Sequence, residues 1–504
     1  MGSDTINCII RGGGTGLELV PPPSFRYASW IAGWLVWARC VVVLAVVVSC
    51  GGIAAVARAQ PPAPNPPALP SIPVPHGLSI PDLQQWIDAV VPRPDIAQPA
   101  TTVPKASAQT RSPAPATDPA SLRAAVLPSD IGDPMFDARP AGLASLAPGD
   151  VVETRDVTAT AAPLLTAPVR QVLQLKFRTT GAHGEPSFAT ASLVLPARAW
   201  TGPGDRPMLV NNLAIDGLGR QCTPSYTLAH GYSANTNSAD FFPPLTQLAV
   251  LRGYAVLIPD HEGPDMAYAE PYVAGHAVLD AIRGARKLLP AEFGSSRFAM
   301  TGYSGGAIAT RAAAVLLSEY APELASSAVG AAVGGVPADY RMLSTTMNAN
   351  LATGVFMAAV FGIGREHPEV LTSMNNLAQQ VTTSPLKNVC MNLIEVPGVI
   401  TPPIDIAANI ADPLHSAVAQ KVFEATDISA RRSTMPLLVY NGAQDFWIPA
   451  AGARELYRQQ CALGVTAIYR DVPGEHFLAG DTGWPGLITW LDQRLQGVPA
   501  PDEC

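Results

Sequence analysis

A serine, an acid and a histidine with the right order and surroundings to act together stand out before any fold is assigned. Ser304 lies in Gly302-Tyr303-Ser304-Gly305-Gly306, Asp445 in Gln444-Asp445-Phe446-Trp447-Ile448-Pro449, and His476 in Glu475-His476-Phe477-Leu478. An alcohol is a weak nucleophile at neutral pH. It needs a base to take its proton, and the base needs a partner that orients it and balances its charge. The glycines around the serine carry equal weight. On a sharp turn from strand to helix, a side chain two positions to either side of the serine would strike those elements. Gly302 and Gly306 fill those positions, with Tyr303 beside the serine; residues 297–301 read as the strand and 307–320 as the helix.

The partners should come from loops after later strands. Asp445 follows an apolar strand at 435–440 and His476 one at 466–472, so each sits at the carboxyl end of its strand, where ligands bind in open parallel sheets. Asp471, Glu475 and Asp481 are rival acids, but all lie beside the histidine's own loop. Of the other histidines, His183 and His230 read as exposed loop residues, and His261, in Asp260-His261-Glu262-Gly263, as a structural hydrogen-bonding group. One histidine and two acids on a short loop are too few for a metal site, and no Cys/His cluster suggests zinc. An oxyanion intermediate needs two backbone N–H donors. Gly305, next after the serine, supplies one; the other comes from residues 211–219, where no run of glycines fixes which.

The elements that must hold these groups are legible as an alternation. Residues 171–178 and 187–195 read as antiparallel strands around a turn at 181–184. Strands at 207–211, 254–259 and 297–301 then alternate with helices at 246–252, 274–289 and 307–320. Such alternation implies an α/β protein with a mostly parallel sheet flanked by helices. With the Ser304 turn, it is the arrangement of an α/β-hydrolase. Between about 336 and 430 the rhythm fails. That segment, with the uncharged stretch 351–364, reads as an inserted helical cap over the site, most of the stretch being a buried helix. A strand at 435–440, a helix at 450–463, a strand at 466–472 and a closing helix at 484–495 complete the pattern.

Composition limits partners and compartment. The chain has 504 residues and a net charge of −8, without a block of like charge, so neither nucleic acid nor an anionic membrane surface is implied. Residues 40–57 are uncharged between Arg39 and Arg58 and precede Ala57-Arg58-Ala59, which reads as a signal peptide over 1–59 and export. The rival readings are lipoprotein processing at Cys50, or an uncleaved anchor. Residues 61–120 hold 16 of the 50 prolines, so 60–128 reads as a largely disordered linker before a catalytic domain at 129–504. Residues 81–91 could form a short helix within it or only an amphipathic patch. Cys222, Cys390, Cys461 and Cys504 suit two disulfides in an oxidising compartment, with three pairings open.

Over residues 130–504 the chain resembles the secretory lipase family, the yeast lipase A type. The resemblance rests on Asp133-Pro134, Pro148-Gly149-Asp150, Asp216 ahead of Cys222-Thr223-Pro224-Ser225-Tyr226, Asp260-His261-Glu262-Gly263, the Ser304 turn, Asp445-Phe446-Trp447-Ile448-Pro449 and Glu475-His476-Phe477-Leu478. It implies Ser304, Asp445 and His476 as the catalytic set, Gly305 and Asp216 as oxyanion donors, and disulfides Cys222–Cys390 and Cys461–Cys504. It also implies a triacylglycerol lipase that needs no metal or organic cofactor, takes a lipid or ester substrate and meets a lipid interface through the cap. The family's C-terminal flap has no counterpart before Cys504, and the Pro-rich segment has no match, so lid behaviour is not carried over. An acyltransferase or short-chain esterase using the same triad, and a non-catalytic cell-envelope binding protein, are the alternatives.

Overall fold

The computed structural model describes residues 79–96, 118–237 and 244–504. The expected signal peptide and Cys50 lie outside the described residues. Among the described residues no helix is long and apolar enough to cross a membrane.

Nine strands form one sheet: β1 (Val151–Asp156), β2 (Val169–Thr180), β3 (Pro186–Pro196), β4 (Met208–Asn212), β5 (Ala255–Pro259), β6 (Phe298–Tyr303), β7 (Ala328–Gly334), β8 (Leu437–Gly442) and β9 (Ala467–Val472). Their spatial order is β1-β2-β3-β5-β4-β6-β7-β8-β9. The first three form an antiparallel meander, β3 pairs antiparallel with β5, and the remaining pairs are parallel. Every residue of β4, β5 and β8 is buried, as befits strands covered on both faces.

The principal helices are α1 (Ile80–Val90), α2 (Pro119–Val126), α3 (Pro244–Leu251), α4 (Pro271–Leu288), α5 (Gly305–Tyr320), α6 (Thr353–Glu366), α7 (Asn376–Thr383), α8 (Ala417–Ala425), α9 (Ala450–Ala462) and α10 (His476–Leu495). Successive strand residues point to opposite faces, and the core divides accordingly. Val210, Leu257, Met300 and Val333 pack with Val278 and Ile282 of α4 and Ala309 and Ala313 of α5. Leu209, Val256 and Ala299 pack instead with Leu487, Trp490 and Leu491 of α10. The cap lies between β7 and β8 in the chain and contains α6, α7 and α8, with a core of its own around Phe356, Ile363 and Ile394.

The structure departs from the sequence reading in several places. The segment expected as a disordered linker carries two docked helices. Ser79 and Asp118 cap α1 and α2, each with proline at the first turn. Gln84 Nε2 of α1 donates to Asp405 O at 2.7 Å and Ile410 O at 2.8 Å, and Asp88 accepts from Asn376 N. Leu122 and Val126 of α2 are buried with Leu371, Met374 and Ala378 of the cap. Hydrogen bonds from α1 and apolar contacts from α2 to the cap thus order short helices that their own composition would not. The closing helix also starts earlier than expected, at His476 rather than near 484.

Two disulfides are present among the described residues. Cys222–Cys390 joins the loop after β4 to the cap, and Cys461–Cys504 joins α9 to the C-terminal residue. The tail lies along the last strand: Glu503 N donates to Ala467 O at 3.0 Å, the Glu503 carboxylate pairs with Arg470, and Tyr457 OH donates to Glu503 O.

Candidate active site

The strand β6 runs straight into Ser304, whose φ of 53° and ψ of −123° are unusual for a residue with a side chain. Two close approaches make this turn possible. A Cβ on Gly306 would lie 2.0 Å from Asn212 O, and one on Gly302 would lie 2.0 Å from Gly306 O. Ser304 N donates to Gly334 O at 3.0 Å, so the neighbouring strand braces the strained residue.

The three residues singled out by order along the chain meet at this turn. His476 Nε2 lies 3.0 Å from Ser304 Oγ, and His476 Nδ1 lies 2.7 Å from Asp445 Oδ2. The other carboxylate oxygen of Asp445 accepts from Trp447 N at 3.0 Å and Ile448 N at 2.9 Å, which fixes the acid on its loop. Asp445 and His476 are both buried. His476 is the first residue of α10, capped by Glu475, whose carboxylate accepts from Phe477 N and Leu478 N. Its ring is stacked on Trp447 with centroids 5.7 Å apart, and Tyr303 OH donates to His476 O. The rival acids stand apart from this chain of bonds: Asp471 pairs with Arg454 and Glu475 is spent on the cap.

Asp216 and Gly305 are neighbours across the turn. Gly305 is the first residue of α5, so its N–H has no acceptor within the helix. Asp216 is buried with φ of 44°, and a Cβ on Gly305 would meet its Oδ1 at 1.7 Å. Burial pushes its carboxyl up to about 7, against the pull of His476. Beneath it, Glu262 is raised well above the usual range by burial and by Asp216. His261 donates its Nε2–H to Leu213 O, 2.8 Å away, and burial lowers its pKa to about 4. It therefore braces the loop that leads to Asp216. His183 and His230, expected as exposed loop residues, are both exposed; His183 Nε2 donates to Glu366 O, while His230 ends a helix rather than lying in a loop and pairs with Asp133.

Ser304, His476 and Asp216 open on a cavity of about 420 Å³ roofed by the cap. Its walls are mostly apolar, with Ile308, Leu343, Met347, Phe356, Val422 and Trp447 among them. Two contributors were missed in the sequence. Trp447 was visible only as part of the Asp445 motif, and Glu395 of the cap carried no signal at all. Among the described residues no group of three His, Cys, Asp or Glu side chains could hold a metal ion.

The buried titratable groups set a pH dependence. Asp216, Asp260 and Glu366 are each raised to about 7 by burial, so the folded chain binds protons there that the unfolded chain releases. Their unfavourable ionisation is fully present above pH 7 and is relieved as pH falls toward 4. His261 and His276 act oppositely: with pKa lowered to about 4, they begin to destabilise as pH falls below 6.5. The acids titrate first on going down from pH 8, and Glu262 adds to them. The midpoint of thermal unfolding is therefore expected to be several degrees higher at pH 6 than at pH 8.5. Scanning calorimetry across that range checks it, and a flat or falling midpoint would show these carboxyls to be better solvated than their burial implies.

Comparison with known proteins gives the family of the chain. The secretory lipase family profile matches residues 233–503. A probable inactive lipase of Mycobacterium tuberculosis is 30% identical, over 75% of this chain and 84% of that protein. Lipase 10 of Candida albicans is 28% identical, over 73% of this chain and 82% of its own length. Among solved structures, lipase A of Candida antarctica in its closed state superposes with a TM-score of 0.65 at 25% identity, covering 75% of this chain and 89% of that one. The extent of these matches, on an α/β-hydrolase sheet with a serine turn at the end of β6, establishes that the chain belongs to the secretory lipase family.

Proposed function

We propose that this chain is an exported ester hydrolase acting on acylglycerols through Ser304, His476 and Asp445. The observation that carries the reading is the unbroken hydrogen-bonded sequence from Asp445 through His476 to Ser304, opening on an apolar cavity. His476 takes the proton as Ser304 Oγ attacks the ester carbonyl carbon. Asp445 orients the ring and balances the imidazolium charge. The N–H groups of Gly305 and Asp216 receive the oxyanion. The intermediate collapses with loss of the alcohol, which receives its proton from His476. Water, activated by the same histidine, then releases the fatty acid and restores Ser304. The disulfides and the signal-like segment 1–59 support an oxidising, extracellular setting, with residues 129–504 as the catalytic domain.

One relative bears the name of an inactive lipase, so a non-catalytic scaffold is the competing reading. A fluorophosphonate probe separates the two. Covalent labelling mapped by mass spectrometry to Ser304, together with fatty-acid release from an acylglycerol emulsion, is the expected result. A folded chain that takes no label and releases no acid is a scaffold, and the hydrolase reading falls.

A further inference from the structure

The cavity contains one cap-borne carboxylate that the mechanism above does not use. Glu395 follows the short helix Met391–Ile394 and lines the same cavity as Ser304 and His476. It is half-buried, and burial raises its pKa while His476 pulls it back; its charge in turn raises Asp216. The carboxylate thus shares one cavity with the histidine and the proposed oxyanion site. Its main chain is fixed. Gly398 N donates to Glu395 O at 3.0 Å, and Gly354 of α6 approaches so closely that a Cβ there would lie 2.0 Å from Ile394 O. The side chain, by contrast, has no hydrogen-bond or ion-pair partner among the described residues, although other polar cap side chains such as Asn375 and Arg365 are fully engaged. A half-buried carboxylate without a protein partner gains no hydrogen bond to offset its desolvation. It is an acceptor waiting for a donor.

The position of His476 says which part of a substrate would meet it. In the proposed reaction His476 Nε2 must lie between Ser304 Oγ and the leaving oxygen, because it passes the proton from one to the other. A polar cap group that lines the same cavity as His476 is placed to border the alcohol half of the ester, while the apolar walls suit the acyl chain. We propose that Glu395 selects the alcohol half, accepting a hydrogen bond from a free hydroxyl next to the ester oxygen, so that partial glycerides and related polyol esters are the favoured substrates. This rests on the reading of Ser304 as nucleophile. An ester of a simple alkyl alcohol offers Glu395 no donor; a monoacylglycerol offers one on the neighbouring carbon.

The test compares kcat/KM for 1-monooctanoylglycerol and methyl octanoate in the full chain and in Glu395→Gln and Glu395→Leu. The acyl group is common to both esters, and taking the ratio within each protein cancels any fraction that fails to fold. The ratio is expected to favour the glycerol ester by roughly ten- to a hundredfold in the wild-type chain, as for a hydrogen bond to a charged group. It should fall to about one in Glu395→Leu and lie between in Glu395→Gln, which retains a neutral acceptor. The same ratio in all three proteins overturns the proposal while leaving Ser304 as nucleophile. Hydrolysis of neither ester by the wild-type chain, with Ser304 unlabelled by fluorophosphonate, overturns the nucleophile reading and this proposal with it.

Discussion

Replacing Ser304 by alanine is expected to lower kcat for ester hydrolysis by roughly a hundred-thousandfold while leaving the fold intact. The size follows from the way such groups act. When the nucleophile is lost, His476 and Asp445 have nothing to activate, and only oxyanion contacts and substrate binding persist. Stability should change little, since an alanine would occupy the same φ of 53° and lose only the hydrogen bond to His476. Initial rates on a monoacylglycerol and a circular dichroism melt of both proteins check the two halves of this expectation. Hydrolysis by Ser304→Ala at more than about a hundredth of the wild-type rate would assign the chemistry to some other group. Loss of the fold would instead mean that the serine is structural.

Replacing Arg365 by methionine is the substitution expected to cost the most stability. Arg365 is 2% exposed, in the last turn of α6, and its guanidinium reaches five backbone carbonyls. Nε donates to Val126 O at 3.2 Å, and Nη1 to Leu218 O, Asp265 O and Met266 O at 2.9–3.0 Å. Nη2 donates to Lys387 O at 2.8 Å. One side chain thereby joins α2, the loops after β4 and β5, and the cap. Burial pushes its pKa down only to about 10, so it stays charged. Methionine fills similar space but leaves those carbonyls without a donor, and a loss of about 3–5 kcal/mol is expected. Urea unfolding followed by tryptophan fluorescence measures it. A change below about 1 kcal/mol would mean that water or neighbouring N–H groups take over the carbonyls.

The sequence carried more of the site than of its surroundings, and particular residues show why. Gly302 and Gly306 are readable because the turn leaves no space for a Cβ, so local chemistry dictates residue type. Strands β4, β5, β6, β8 and β9 are readable as apolar runs between helices. Strand β7, Ala-Val-Gly-Ala-Ala-Val-Gly, gives no strand signal because alanine and glycine have little preference for strands. Its position between β6 and β8 makes it a strand, and its small residues suit the space: a Cβ on Gly334 would lie 2.1 Å from the Tyr440 ring. Strand β1, Val-Val-Glu-Thr-Arg-Asp, is a polar edge and gives little apolar signal. The roles of Arg365 and Glu395 depend on residues far along the chain, Val126, to which Arg365 donates, and His476, which shares a cavity with Glu395, and no local pattern announces such meetings. Helix α1 matches one of the two readings open for residues 81–91, whereas α2 has no local signal, since the surface that orders it is built from the cap.

The C-terminal tail has a consequence for the chain's behaviour outside the compartment its cysteines suit. Strand β9 is the last of the sheet, and one rail of its backbone groups would face solvent if nothing lay along it. Glu503 donates its N–H to that rail at Ala467, and Cys504 pins the tail to α9. An uncovered edge strand invites pairing with the edge of another molecule. Reduction of Cys461–Cys504 would leave the tail held only by the contacts of Glu503 with Ala467, Arg470 and Tyr457, and the first property weakened would be colloidal: each time the tail lifted, the bared edge could pair with another molecule while the active-site bonds still held.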